Sequence, residues 1–337
     1  MRAAIAAADI IAQSARRAAV AIAPLAIAFD AGAAGGDARL ERLAPGVYVQ
    51  RGAVEAASAA NRGRIANRGI LVGRFGVVMV NTGASTQDAE ALIAATARLT
   101  PLPIVAAIDT QATPDAVLGN GALAARGIPV IAHRETDAFM VRNCAACIGA
   151  TIERTGDSAL RAIRPSRPSW LVDTSRRLEL GGRTVDLLYF GWTEQPGAIA
   201  VLDVASGVLF SGGLADFDVV PDIRAARTAA WRAALGRLEA IHPSLVVPAH
   251  GPPAAPARLG EVDRYLAALE SETLAAYRDG IDLQQAESSV QVESFAGWLG
   301  YRERQPSNVH FAYLEIERRE LQVLRRDEEG GGQPGSE

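Results

Sequence analysis

The residues of this chain whose types suit chemistry lie far apart, and only four histidines are available. Asp115 follows one apolar run, Glu194 lies in a turn that contains a proline, and His250 follows another apolar run. Two carboxylates and one imidazole form an acceptable ligand set for an open metal site. They also suit metal-free acid–base catalysis. Either chemistry requires a fold that brings the three loops together.

Five short blocks surround these residues. Residues 76–83 are an apolar run that ends in Asn-Thr-Gly, and residues 110–116 read Thr-Gln-Ala-Thr-Pro-Asp-Ala. Residues 190–197 read Phe-Gly-Trp-Thr-Glu-Gln-Pro-Gly, residues 210–213 read Phe-Ser-Gly-Gly, and residues 247–252 read Val-Pro-Ala-His-Gly-Pro. The blocks and their order resemble the metallo-β-lactamase superfamily. The resemblance runs from about residue 43 to residue 253 and implies an αββα four-layer sandwich.

In that superfamily a Thr-His-x-His-x-Asp-His loop, a Gly-x-x-His turn, a bridging aspartate and a final histidine hold two zinc ions. The resemblance places Asn81 at the aspartate of an Asp-Thr-Gly turn. The three histidines of the loop correspond to Gln111, Thr113 and Ala116. Glu194 takes the position of the turn histidine, and Gly213 that of the bridging aspartate. Asp115 and His250 alone keep the family's ligand type. The resemblance therefore implies that most of the zinc ligands have been replaced.

Each implied zinc site retains at most two competent side chains. One site would consist of Gln111, Thr113 and Glu194, and the other of Asp115, Ala116 and His250. Zinc prefers nitrogen and sulfur ligands, so we expect no two-zinc centre and no cofactor. The alternative is a single, weakly bound zinc on Asp115, Glu194 and His250, with oxygen from Asp216 or Asp218.

Each candidate residue also has a structural interpretation. Asp115 could cap a helix that begins at Val117, and His250 could be tied to the backbone at the end of a strand. Glu194 is either a solvated loop residue or a desolvated carboxyl with a raised pKa, which would suit a general acid or base. His133, His242 and His310 are interpreted as structural.

Three segments are similar to the zinc metallohydrolases associated with sulfur oxidation and quinoprotein dehydrogenases: residues 61–67, the pair Cys144 and Cys147, and residues 308–313. The cysteines lie on one helical face. They predict a disulfide in an exported protein and free thiols in the cytosol. A catalytic thiol is not expected, because no base is adjacent in the sequence.

The composition of the chain excludes several classes of function. The chain has 337 residues, 49% of them hydrophobic, a net charge of −4 and a pI near 5.7, which offers no electrostatic basis for binding nucleic acid. Its basic residues are all arginines, which excludes Schiff-base lysine and P-loop chemistry.

The domain organisation follows from composition and periodicity. Residues 1–36, with Arg16 and Arg17 before an apolar run, are typical of a signal peptide or a disordered N-terminus. Residues 40–256 are predicted to form the metallo-β-lactamase-like domain, residues 257–326 a helical extension and residues 327–337 a disordered tail. No membrane span is expected in the mature protein.

These observations predict a degenerate, non-hydrolytic protein of the metallo-β-lactamase fold, a pseudoenzyme, that binds a small molecule or serves a periplasmic oxidation system as an accessory protein. The alternative is a hydrolase that uses one metal ion or a metal-free site of Asp115, Glu194 and His250. A periplasmic or exported location is expected, with the cytoplasm as the alternative.

Overall fold

The computed structural model describes residues 39–163 and 165–330. The predicted signal segment lies outside these residues, and so do residues 331–337 of the predicted tail. Residues 327–330 lie at the end of the last helix.

One sheet of the described residues has seven strands in sequential order, antiparallel up to the fourth strand and parallel from there on. Its strands are β1 (Glu41–Ala44), β2 (Val47–Gln50), β3 (Arg68–Val72), β4 (Val77–Val80), β5 (Ile104–Ile108), β6 (Val130–His133) and β7 (Trp170–Val172). The apolar runs predict β2 to β6 correctly. They miss β1 and β7, which lie at the edges and are only partly buried.

The second sheet has the order β12-β11-β10-β9-β8. Its strands are β8 (Arg176–Leu180), β9 (Arg183–Tyr189), β10 (Ile199–Asp203), β11 (Val208–Gly212) and β12 (Leu245–Pro248). A hairpin joins β8 and β9. Gly181 and Gly182 have φ values of 59° and 77°, a left-handed pair that a tight two-residue turn requires.

Helices cover both outer faces. They are α1 (Thr86–Leu99), α2 (Pro114–Val117), α3 (Asn120–Ala124), α4 (Arg134–Thr155), α5 (Thr228–Glu239), α6 (Leu259–Arg278), α7 (Leu283–Ser289) and α8 (Tyr301–Gly330). Ser85 caps α1, because its side chain accepts a hydrogen bond from the backbone N–H of Asp88.

Three apolar clusters define the layers. One lies between the sheets and joins residues such as Val80 and Ile108 to residues such as Val201 and Phe210. A second packs the outer face of the first sheet against α1 and α3, and a third packs the second sheet against α5, α6 and α8. The order helix, sheet, sheet, helix confirms the predicted four-layer sandwich with a C-terminal helical extension.

The last helix of the extension, α8, begins at Tyr301. Buried Gln305 and Asn308 both hydrogen-bond the hydroxyl of Tyr265 on α6, so polar contacts hold the early turns that apolar periodicity does not reveal. Within the described residues, none of the helices combines the length and the apolar character that crossing a bilayer requires.

Candidate functional site

The candidate site is centred on His250, just beyond the carboxyl end of β12. Both nitrogens of its ring face carboxylates: Nε2 lies 2.7 Å from Asp115 Oδ2, and Nδ1 lies 2.8 Å from Asp216 Oδ1. The backbone N–H of His250 also donates to Asp216 Oδ1, at 3.1 Å. The interpretation of His250 as a histidine tied to the backbone is therefore wrong, because both ring nitrogens bind side chains.

Asp115 reaches His250 from inside the short helix α2. The N-cap residue of that helix is Thr113, so Asp115 does not cap a helix that begins at Val117. The two carboxylates approach the imidazole from separate strand ends, Asp115 after β5 and Asp216 after β11. We call Asp115, Asp216 and His250 the charged triad.

The charge state of the triad follows from its pairing. Burial by itself would lower the pKa of His250, but the charge of Asp216, the hydrogen bonds to both carboxylates and the charge of Asp115 outweigh it and raise the pKa to about 10. Burial would raise the pKa of Asp115, yet its hydrogen bond to His250 and the histidine's charge lower it. At neutral pH the triad is an imidazolium held between carboxylates.

Glu194 is only 8% exposed, which excludes the solvated-loop interpretation. Burial, followed by the negative charge of Asp216, raises its pKa to about 8, against a weak opposing hydrogen bond from Gln195. The burial of Glu194 meets the condition on which a raised pKa was predicted. Most of the Glu194 carboxyl is therefore protonated at neutral pH.

Gly213 makes room for that carboxyl. A Cβ added to Gly213 would overlap Glu194 Oε1 and come within 2.8 Å of Gln111 Oε1. Gln111 Oε1 is buried without a hydrogen-bond partner among the described residues, while the Gln111 amide donates to Thr113 Oγ1 at 2.9 Å. Two oxygens crowd one glycine, which favours a proton on Glu194. We call Gln111, Thr113 and Glu194 the neutral half.

Asn81 and Ala116 have structural roles. Asn81 adopts a left-handed φ of 62° at the end of β4, and its Oδ1 accepts hydrogen bonds from the backbone N–H and the hydroxyl of Thr110. The backbone oxygen of Ala116 accepts from the N–H groups of Thr82 and Gly83. An acceptor oxygen suffices at position 81, so asparagine keeps the loop in place.

These donors do not fit a two-zinc centre. Zinc prefers nitrogen and sulfur ligands, and His250 supplies the one imidazole among the candidate ligands, with both of its ring nitrogens in contact with carboxylates. The neutral half offers an amide, a hydroxyl and a protonated acid. Across residues 39–163 and 165–330, no group of three or more histidine, cysteine, aspartate or glutamate side chains is arranged to hold a metal ion.

Cys144 and Cys147 lie on α4 as free thiols, Cys144 buried and Cys147 half-buried. Burial raises the pKa of Cys144 to about 11 and also raises that of Cys147. Thiols with raised pKa values are poor nucleophiles at neutral pH. The structural interpretation of His133 is confirmed, since its Nδ1 accepts from the N–H of Glu135 and caps α4.

The triad partner Asp216 was predicted only as a possible oxygen donor, and Asp109 was not predicted at all. Asp109 is fully buried after β5, and burial raises its pKa to about 8 against one hydrogen bond from Asn120. Its Oδ1 has no partner among the described residues. The sequence signal for a buried carboxyl of this kind is an aspartate directly after an apolar strand.

Two facing sheets with site loops at the carboxyl ends of β5, β11 and β12 define the metallo-β-lactamase fold. The chain is similar in structure to a metallo-β-lactamase from Pontibacter korlensis, with a TM-score of 0.56 and 18% identity over 68% of this chain and 98% of that one. It is also similar to the metallo-β-lactamase DIM-1, with a TM-score of 0.55 and 15% identity over 69% and 98%.

A second structure of DIM-1, exposed to ceftazidime, gives a TM-score of 0.55 at 16% identity over 69% of this chain and 97% of that one. No family model and no curated protein matches the sequence. The similarity therefore establishes the fold, and function has to be argued from the site.

Proposed function

We propose that this chain is a non-hydrolytic member of the metallo-β-lactamase fold, in which an internal ion network takes the place of zinc. Its role is then to bind a small molecule or a partner protein. The observation that carries the proposal is the pairing of both nitrogens of His250 with Asp115 and Asp216.

The network supplies the cohesion that metal ions give elsewhere. His250 connects the loop after β12 to Asp115 after β5 and to Asp216 after β11. Backbone hydrogen bonds run in parallel, from the N–H of Phe217 to His250 O and from the N–H of Ala249 to Ala215 O. A cation between buried carboxylates removes the cost of leaving either charge unpaired. The loops stay in place without a metal ion.

Elemental analysis tests the proposal directly. The protein is purified without an affinity tag, then analysed before and after equilibration with micromolar zinc and desalting. We expect well under one zinc per chain, and the same low value for His250→Ala. A two-zinc lactamase handled in parallel is the positive control. Near-stoichiometric zinc that disappears in His250→Ala would overturn the proposal.

The second candidate is a metal-free hydrolase, favoured by the protonated Glu194 carboxyl in the pocket. A buried acid with a pKa of about 8 suits proton donation near neutral pH. Ceftazidime and a nitrophenyl ester are suitable probes, assayed with and without a chelator. Turnover that resists the chelator and is lost in Glu194→Gln would establish this candidate and contradict the non-hydrolytic role.

A periplasmic location and an accessory role in a quinoprotein oxidation system belong to the same proposal, and they rest on the sequence resemblance. Fractionation of the native host tests the location. Affinity purification from the periplasm tests the role, with a dehydrogenase or a cytochrome as the expected partner. Repeated recovery of the chain without such a partner, or from the cytoplasm, would contradict it.

A further inference from the structure

A groove of about 600 Å³ lies beside the candidate site. It is formed by the turn at residue 192, the segment 223–230 and helix α8, and its walls include Trp192, Arg224, Arg227, Phe311, Leu314 and Arg318. This volume falls within the range of about 300–1,000 Å³ typical of small-molecule sites. Asp115, Glu194 and His250 do not line it, so the groove is a separate feature.

One wall of the groove is held in a fixed orientation. The indole N–H of Trp192 donates to Ala225 O at 2.6 Å, and the Arg227 guanidinium lies 4.3 Å from the centre of the indole ring. The backbone N–H of Arg227 donates to Thr193 O at 2.7 Å. Because these contacts already hold the wall in place, a ligand that binds there loses less affinity to the ordering of side chains.

The groove has more unpaired positive charge than negative charge. Arg224 is paired with Asp222 at 2.5 Å, whereas Arg227 and Arg318 form no ion pair with any other residue of the described ranges. Glu315 also lines the groove, and its carboxylate accepts a hydrogen bond from Thr228 Oγ1 at 2.7 Å. Two exposed guanidinium groups are thus available to an anion, on a chain whose net charge is −4.

We propose that the groove binds a small amphipathic anion. Its apolar body would pack on Trp192, Phe311 and Leu314, and its anionic group would bind Arg227 and Arg318. Arginine suits this role because its planar guanidinium donates paired hydrogen bonds to carboxylate, sulfonate or phosphate oxygens. The proposal goes beyond the proposed function and does not depend on whether His250 can hold a metal ion.

Titration with anilinonaphthalene sulfonate, an aromatic sulfonate, tests the proposal, with uncharged phenylnaphthylamine as the matched neutral probe. We expect the sulfonate to bind one site in the wild-type protein, and the double variant Arg227→Gln, Arg318→Gln to weaken it at least tenfold. Arg302→Gln is the control, because Arg302 is an exposed arginine of the same helix that does not line the groove. The control should bind like the wild type.

A variant that fills the groove without removing charge completes the design. Ala230→Trp adds a large side chain to the wall, and we expect it to abolish binding of both probes while circular dichroism shows an unchanged fold. Equal affinity of the sulfonate and the neutral probe would overturn the anion specificity. Equal loss in Arg302→Gln, or no binding to the wild type at millimolar probe, would overturn the site itself.

Discussion

The neutral half and the charged triad lie in one pocket, yet burial affects them in opposite ways. Glu194 is buried without a facing cation, and its pKa rises to about 8. Asp115 is buried against His250, and its pKa falls. The same loss of solvent therefore protonates one carboxyl and leaves the other ionised. The difference lies in whether a cation stands within hydrogen-bond distance.

The comparison shows two ways in which such a site accommodates buried carboxylates. Each must either take up a proton or pair with a cation, because an isolated buried charge is very costly. Glu194 represents the first solution and Asp115 the second. His250 makes the second possible because it takes up a proton and becomes the cation.

Removing His250 should have the largest effect. His250→Ala leaves Asp115 and Asp216 facing each other in the pocket without a cation. Breaking a buried pair by removing one partner costs about 3–5 kcal/mol. We expect a loss of that size in the free energy of unfolding, measured by urea denaturation at pH 7.

His310→Ala is the matched control for that experiment. His310 contacts Glu287 at 2.7 Å, but both side chains are about one-third exposed, at 36% and 33%. Surface ion pairs contribute about 0–1 kcal/mol, so the control should lose no more than that. If both variants lost the same free energy of unfolding, the ion pairs of the triad would be worth no more than a solvent-exposed ion pair.

The next effect is a dependence of stability on pH, which differs between the neutral half and the charged triad. A carboxyl whose pKa is raised on folding holds its proton more tightly in the folded state, so stability falls as pH rises from the unfolded value near 4.5 to about 8. The raised pKa of His250 has the same sign in a later window, from 6.5 to about 10. Glu194 and His250 thus act in windows that overlap only in part.

Glu194→Gln should therefore flatten the fall in stability between pH 4.5 and pH 8 and leave the fall towards pH 10. Each pKa unit corresponds to about 1.36 kcal/mol. Allowing for relaxation around the ionised acid, we expect the variant to gain roughly 2–4 kcal/mol over the wild type at pH 9 and little at pH 4. The pKa of Asp109 is also raised, but its effect on the pH dependence of stability is the same in the wild type and the variant. A constant difference across this range would contradict the raised pKa.

The elements that were predicted from sequence are those whose signal is local. The apolar runs of β2 to β6, the cap at Ser85 and the glycine pair of the β8–β9 hairpin each depend on neighbouring residues. The strand-end loops of the site were also predictable, from the resemblance of five blocks. Helix α7 lies within the predicted helical extension, and the Asp282 side chain that caps it is a further local signal.

The partner of each site residue was not predictable in the same way. The contact between Asp115 and His250 spans 135 residues of sequence, and that between Asp216 and His250 spans 34. The backbone hydrogen bond from the N–H of Ala249 to Ala215 O holds the loop next to Asp216, and no residue pattern encodes it. A raised pKa at Glu194 could be predicted on condition of burial, and burial depends on the whole fold.

The smallest effect concerns the glycine against which the neutral half packs. Gly213→Ala places a methyl group where the Glu194 carboxyl and Gln111 Oε1 already lie. Overpacking a buried site typically costs about 1–3 kcal/mol, and we expect a loss in this range by urea denaturation. Gly149→Ala is the control, because nothing lies within 4 Å of its added Cβ on α4. It should gain about 0.5–1 kcal/mol, as alanine favours helices.

A double variant distinguishes crowding by Glu194 from a general intolerance of alanine at position 213. In a Glu194→Ala background the carboxyl that overlaps the new methyl group is gone, so Gly213→Ala should cost less there than in the wild type. Residues in contact show coupling energies of about 0.5–3 kcal/mol. Strict additivity of the two changes would mean that the space beside Gly213 is not the one that Glu194 fills.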